Sequence, residues 1–177
     1  MDLDELVHRI DQTCRLTGEF LLRSGQTSTT YFDKYRFEAD PELLAAVAAH
    51  AMPLIPSGTE VLAGLELGGV PIATALSMAT GLPAAFVRKE AKTYGTAQLA
   101  EGATIDGKRC LVVEDVITTG GQVVLSTGDL RERGAIVDTV LCVIDRSGGD
   151  HAKLDEIGLE IRSVLTSADL DRAHTSS

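Results

Sequence analysis

The chain has 177 residues, carries a formal net charge of −10, and is 44% hydrophobic with only 4% aromatic residues. That length suits one domain with a substantial core, which must be aliphatic and alanine-rich. The charge excludes general binding to nucleic acids or anionic membranes, whose phosphates attract basic surfaces, and no apolar run reaches the length of a membrane span.

The N-terminus, MDLDELVHRI, is acidic and lacks the basic-then-apolar pattern of a secretory signal. Residues Leu3 to Leu16 are predicted to form a helix, with Leu3, Leu6, Val7, Ile10 and Cys14 on one face and Gly18 as its stop. The stretch GEFLLRSGQTSTTYFDKYRF reads as short strands around a polar turn. Asp40-Pro41-Glu42 is a helix start: a capping acid, a proline in the first turn, and a second acid near the positive end. The helix should run through LLAAVAAHAM.

From Glu60 onward strands and helices alternate. VLAGL is a predicted buried strand, Pro71 to Ala79 a helix after a Gly-Gly turn, and AAFV and CLVV the next strands. Gln122 to Arg133 follows as a helix closed by Gly134, then IVDTVLCVID as a strand and His151 to Ile157 as a helix. Near-continuous apolar strands separated by helices predict a parallel sheet covered on both faces. The last residues, DRAHTSS, are expected to fray. Cys14, Cys110 and Cys142 match neither a zinc site nor a disulfide framework, so they are expected as small buried hydrophobes in a reducing cytoplasm.

One stretch asks for a ligand. In CLVVEDVITTGG an apolar strand runs into two acids, two threonines and two glycines. Ligands of open parallel sheets bind beyond the carboxyl ends of strands, where Glu114 and Asp115 are expected. Thr118, Thr119, Gly120 and Gly121 form a turn rich in backbone N–H groups, and Gln122 opens the next helix, an arrangement suited to a phosphate. The acids would repel a bare phosphate, so a ribose diol or a bound Mg2+ suits them. No Gly-Lys-Ser/Thr follows, and GxGxxG is absent. A plain strand–turn–helix corner requires none of these residues. The motif EDVITTGG after an apolar strand resembles the phosphoribosyl pyrophosphate (PRPP) motif of type I phosphoribosyltransferases. That resemblance implies acids near the ribose hydroxyls and a Thr/Gly turn, from Val116 and Ile117 to Gln122, around the 5-phosphate.

A basic segment, FVRKEAKTYGTAQLAEG, comes before it. No Lys or Arg occurs from Phe37 to Val87, and then Arg88, Lys89 and Lys92 arrive together. They open a loop of about twenty residues, a length typical of lids and binding loops. Cations there can stabilise charge on a departing pyrophosphate, and a lid excludes water. RKEAK followed by glycine resembles the mobile catalytic loop of orotate phosphoribosyltransferases, which implies a homodimer whose loops cross between subunits. Where the common bacterial form of this loop has a histidine, Tyr94 stands here, a hydrogen-bond donor that does not titrate near neutrality.

Two further segments fit the same family. FLLRSGQTSTTYFD resembles its N-terminal segment, with Arg23 at the usual lysine position. In VIDRSGG, Arg146 stands just past a strand end, where a guanidinium can pair with a planar carboxylate or carbonyl edge. The resemblance assigns Arg146 and Thr118 to orotate. GLELGGVPIA resembles the pyrophosphate-side loop, with Gly68 where several bacterial members have lysine.

The resemblance, from about Phe20 to Arg146, implies one α/β domain of the type I phosphoribosyltransferase fold, with a central, mostly parallel sheet flanked by helices. An N-terminal helix and hood would span residues 1–37, the core 38–167 with a mobile loop at about 88–108, and a frayed tail 168–177. The implied reaction is orotate plus PRPP to orotidine 5′-phosphate and pyrophosphate in pyrimidine biosynthesis, with Mg2+ carried by PRPP rather than bound directly. Lys89, Lys92, Arg88 and Asp115 are the candidate catalytic residues. Transfer to another base, or a PRPP-binding regulator, are the rival readings.

Overall fold

A computed structural model of the chain describes residues 1–21, 25–90 and 99–175. Helix α1 (Leu3–Cys14) is capped by Asp2, whose carboxylate accepts the Glu5 N–H at 2.9 Å. It buries Leu6, Val7, Ile10 and Cys14, while Leu3 stays exposed. The helix ends two residues earlier than its apolar spacing predicts, because Arg15 opens a strand. Strands β1 (Arg15–Leu21) and β2 (Thr27–Phe32) form an antiparallel hairpin separate from the main sheet, and Gly18 lies inside β1 rather than stopping a helix. A short helix, α2 (Tyr35–Ala39), leads to α3 (Pro41–Ala51). There Asp40 accepts the N–H groups of Glu42 and Leu43, as the Asp-Pro-Glu start requires.

The main sheet has β3 (Val61–Leu65), β4 (Ala84–Val87), β5 (Ala100–Gly102), β6 (Cys110–Ile117), β7 (Thr139–Asp145) and β8 (Glu160–Thr166). Its order is β5-β4-β3-β6-β7-β8, parallel except for β5. Helix α4 (Gly69–Thr80) connects β3 to β4, α5 (Gly121–Glu132) connects β6 to β7, and α6 (Ala152–Asp155) precedes β8. Alternation along the strands serves two cores. Leu62, Leu111, Val113, Leu141 and Leu165 pack with α1, α3 and α4 on one face; Val61, Ala63, Val112, Cys142 and Val123 pack on the other. Both faces are covered, which is why the strands read as unbroken apolar runs.

Several expectations need correction. The strand before Arg146 begins at Thr139, not Ile136, which forms only an isolated bridge to Arg109. The helix after the Gly-Gly turn takes in Gly69 itself and ends at Thr80. The helix after β6 begins at Gly121, one residue before Gln122. The long loop is interrupted by β5, a three-residue edge strand too short to leave a pattern. The tail does not fray from residue 168: α7 (Ser167–Thr175) docks on α1 and buries Leu170. Its start is a reciprocal cap, in which the Asp169 carboxylate accepts the Thr166 N–H at 2.7 Å and the Asp169 N–H reaches the Thr166 hydroxyl. On the α1 side, Arg15 lies 3.4 Å from Asp171.

The three cysteines are free and buried, and burial pushes the Cys110 thiol up to about 11 and that of Cys14 to about 12. Among the described residues no helix is long and apolar enough to cross a membrane. The docking of α7 is testable. Leu170→Ala should cost about 2–4 kcal/mol in a urea denaturation series, as a truncation in a packed core does. A loss under about 0.5 kcal/mol is what a loose tail would give.

Candidate active site

The chain leaves β3 in both directions, to β4 on one side and to β6 on the other, so β3 and β6 flank the point where strand order reverses. Their carboxyl ends differ in length. Pairing between β3 and β6 stops at Gly64 with Val113, whereas β6 pairs with β7 as far as Ile117 with Asp145. Glu114 and Asp115 therefore lie within β6, not past its end, in the part that has lost one neighbour. The loop after β3 fills the entrance. Gly68 and Gly69 lie so close to β6 that a Cβ at Gly68 would overlap the Asp115 carboxylate, and one at Gly69 would overlap the Val113 carbonyl.

After Ile117 the chain turns through Thr118 and Thr119, both exposed, to Gly120, which caps α5 with a φ of 69°. That conformation disfavours any residue with a side chain. Leu154 supports the turn from below, 3.1 Å from where a Cβ would stand. The first-turn N–H groups of α5 are thus presented next to the acid pair.

Alternation along β6 sends Asp115 to the face of Leu111 and Val113, where α2 packs. Asp115 is fully buried, and Lys34, just before α2, places its ammonium 2.5 Å from Asp115 Oδ2. Asp115 Oδ1 accepts the Val116 N–H at 2.6 Å. Glu38, one turn further along α2, is buried against the same acid. Burial, then contact with Asp115, pushes the Glu38 carboxyl up to about 8 and that of Glu114 up to about 9. Burial would raise Asp115 too, but hydrogen bonding with Glu114 and Lys34 outweighs it and holds Asp115 below the usual range. For Lys34, burial is outweighed by Asp115, so the ammonium titrates higher than usual. The three carboxyls and one ammonium are arranged with Asp115 as the ionised acid.

Arg146 follows β7 immediately, and its N–H donates to the Ile117 carbonyl at 2.7 Å, one ladder step from the turn. Its guanidinium lies 5.7 Å from the Phe32 ring centroid. With Ser28, Thr30, Tyr31, Phe32 and Ser167 it lines a cavity of about 390 Å³ between the hairpin and α7. Asp145 anchors the loop that follows: it accepts the Ser147 N–H at 2.8 Å and faces His151 Nε2 at 2.8 Å. At the other edge, Glu66 accepts the Lys89 N–H at 2.6 Å, tying the start of the basic segment to the loop after β3. Arg88 faces Glu101 on β5 at 3.8 Å.

The contiguous candidates, Glu114 to Gln122, thus occupy one strand end, one turn and one helix start. Val116 and Ile117 pack their side chains into the hydrophobic clusters, and their backbone pairs with β7. Gln122 Nε2 donates to Ser126 within α5 at 3.1 Å. Arg23, Lys92 and Tyr94 lie outside the described residues. Sequence reasoning missed Lys34, Glu38, Glu66 and Phe32. The first two offered only an i, i+4 spacing of opposite charges in FDKYRFE, which usually marks a solvated helix face. Among the described residues no group of three or more His, Cys, Asp or Glu side chains is arranged to hold a metal ion.

Comparison with known proteins adds the family. The model of the phosphoribosyl transferase domain matches residues 36–162. An orotate phosphoribosyltransferase from a Nocardioides species is 58% identical over 174 residues, which is 98% of this chain and 97% of that one. The crystal structure of the Mycobacterium tuberculosis orotate phosphoribosyltransferase in complex with PRPP superposes with a TM-score of 0.82 at 32% identity, covering 97% of this chain and 99% of that one. Another structure of the mycobacterial protein gives 0.87 at 34% identity, covering 96% and 99%. With the acid pair, the glycine turn and the reversed strand order in place, the chain belongs to the orotate phosphoribosyltransferases of the type I phosphoribosyltransferase family.

Proposed function

We propose that the chain transfers the 5-phosphoribosyl group of PRPP to orotate, releasing orotidine 5′-phosphate and pyrophosphate. The observation that carries this reading is the acid pair of β6, left without its β3 neighbour and followed at once by the open N-terminus of α5. A ribose diol donates hydrogen bonds to the carboxylates, and the 5-phosphate accepts them from the turn Thr118–Gly121. The name of the mycobacterial PRPP complex supports the donor, and the relatives' names support the acceptor.

In the reaction the bond from C1′ to the pyrophosphate oxygen breaks, taking its electron pair, and a bond from C1′ to the pyrimidine nitrogen forms. Positive charge builds on the ribose as negative charge builds on the leaving group. Lys89 and Arg88, with Lys92, are assigned to the leaving pyrophosphate, where preorganised cations act with most effect. Mg2+ carried on the donor would add Lewis-acid stabilisation of that same leaving group. Such an ion needs no carboxylate cage on the protein, and the crowded, lysine-paired Asp115 does not offer one. Arg146, beside Phe32 in the 390 Å³ cavity, is assigned to the orotate carboxylate or its carbonyl edge, with Thr118 beside it. A homodimer sharing the loop around Arg88–Tyr94, in the cytoplasm, belongs to the same reading.

Orotate consumption followed by ultraviolet absorbance should require both PRPP and Mg2+. Turnover of adenine, hypoxanthine or uracil instead would reassign the acceptor, and PRPP binding without any turnover would point to a sensing protein. Lys89→Ala should lower kcat by about two orders of magnitude or more, as loss of a transition-state contact does, with the melting temperature nearly unchanged. An unaltered kcat sinks that assignment.

The electrostatics of the acids give a pH dependence. Unfolded glutamates titrate at about 4.3, so between there and 8 to 9 the ligand-free fold holds protons on Glu38 and Glu114 that the unfolded chain has released. Stability from these groups is complete at the acid end of that window and is lost as pH rises through 8 to 9. The melting temperature of the ligand-free protein should therefore fall from pH 6 to pH 9. Glu38→Gln should flatten the decline, and a wild-type melting temperature level across the interval would contradict it.

A further inference from the structure

The two oxygens of Asp115 have unlike surroundings. Oδ1 accepts the Val116 N–H, whereas Oδ2 accepts no hydrogen bond of ordinary geometry and has the Lys34 ammonium at 2.5 Å, with Glu38 and Glu114 also packed against this acid. Oδ2 is also the atom that a Cβ on Gly68 would strike first. Two consequences follow. While Asp115 keeps its place, the loop after β3 has no room for any side chain at position 68, least of all a lysine. The positive charge beside this acid arrives instead from the junction of β2 and α2, a segment distant in sequence.

Lys34 is suited to both sides of such a contact. Its ammonium meets a fully buried carboxylate, while 34% of its side chain stays exposed. The ammonium also stands 5.4 Å from the Tyr35 ring centroid, a second electrostatic support. A polyanionic sugar phosphate approaching Glu38, Glu114 and Asp115 would meet repulsion if all three were ionised and unpaired. With Lys34 in contact the cluster is close to neutral, and the remaining lone pair of Oδ2 is aimed rather than free to turn.

We propose that Lys34 is a positioning residue of the donor site: it neutralises and orients Asp115 for the ribose hydroxyls of PRPP, replacing a cation on the loop after β3. This rests on the reading of Glu114 and Asp115 as the ribose-binding acids. Gly68 is then the clearance that Asp115 needs, not a missing contact.

The test is calorimetric titration of PRPP with Mg2+ present and no acceptor, for the wild type, Lys34→Met, Lys34→Arg and Gly68→Lys, with steady-state kinetics alongside. Lys34→Met should weaken PRPP about tenfold, the scale of one lost charge-assisted contact. The KM for orotate at saturating PRPP should stay within about twofold, a split that general loosening of the fold would not produce. Lys34→Arg should recover most of the affinity, since it restores the charge. Gly68→Lys should weaken PRPP although it adds a cation to the loop. PRPP affinity unchanged or tighter in Lys34→Met overturns the proposal, the tighter case marking Lys34 as a plug that the donor displaces. Tighter binding by Gly68→Lys overturns it as well, and that variant decides the matter should Lys34→Met fail to fold. A wild type that binds PRPP but leaves orotate untouched removes the acceptor reading and leaves this test intact. A wild type that binds no PRPP removes the donor reading and this proposal together.

Discussion

Beyond Val113, strand β6 has lost its neighbour β3 on one side while it still pairs with β7 on the other. That unequal length is the constraint from which the rest of the site follows. It leaves one edge of the β6 backbone without a strand partner just where the strand order reverses, at the buried acids Glu114 and Asp115. The loop after β3 can enter only as glycine, because β6 occupies the space that side chains would take. The chain must then leave β6 through a turn tight enough to start α5 beside the acids, which Gly120 permits by its positive φ. An acid pair, a bare-backbone loop and a helix N-terminus are therefore one geometric solution rather than three separate features.

The acceptor side is attached to the same strand. Ile117 carries the last rung to β7 and its carbonyl accepts the Arg146 N–H, so the position of the guanidinium is set by the ladder that also positions the acids. Asp145 then fixes the chain beyond through Ser147 and His151; burial opposes its charge, but those hydrogen bonds outweigh it and hold the carboxyl below the usual range. Phe32 and Tyr31, from the hairpin, supply the apolar wall. One strand pair thus sets the separation between the acid pair and Arg146, the residues proposed for the sugar and the base, and that separation is what a glycosyl transfer needs most tightly controlled.

What the sequence made legible is what is contiguous in it. EDVITTGG lies on one strand end and one turn, so its residue types and their order were enough to locate a phosphate-binding corner. The buried strands were readable because both faces of a parallel sheet are covered. Strand β8 was not, since EIRSVLT is half-buried and shows neither an unbroken apolar run nor strict alternation, and its reciprocal cap, Thr166 with Asp169, lay in a segment that reads as a polar tail. Lys34 and Glu38 were invisible for a different reason. Their relation to Asp115 arises only when α2 packs on the face of β6 that alternation assigns to Asp115, and no local pattern encodes that meeting. Gly68 read as a loss because sequence shows which side chain is missing and not what fills its space.

The acidity of the whole chain looks at first like an obstacle to binding a polyanion. Screening at physiological ionic strength limits the reach of exposed charges to about 8 Å, so most of the acids that make up the net −10 have little influence at the acid pair. What the donor meets is local. Two of the three carboxyls beside it hold their protons near neutrality, and the third is paired with Lys34. Arg88 and Lys89 follow β4, on the side of β3 opposite β6, and the Lys89 backbone N–H ties this segment to the loop after β3 through Glu66. On the proposed assignment, a gradient runs from near-neutral at Glu114 and Asp115 to positive at Arg88 and Lys89, matching a molecule that carries hydroxyls at one place and its leaving charge at another. A uniformly basic surface would attract PRPP without orienting it. On the same assignment, an acidic protein with this local arrangement orients the donor.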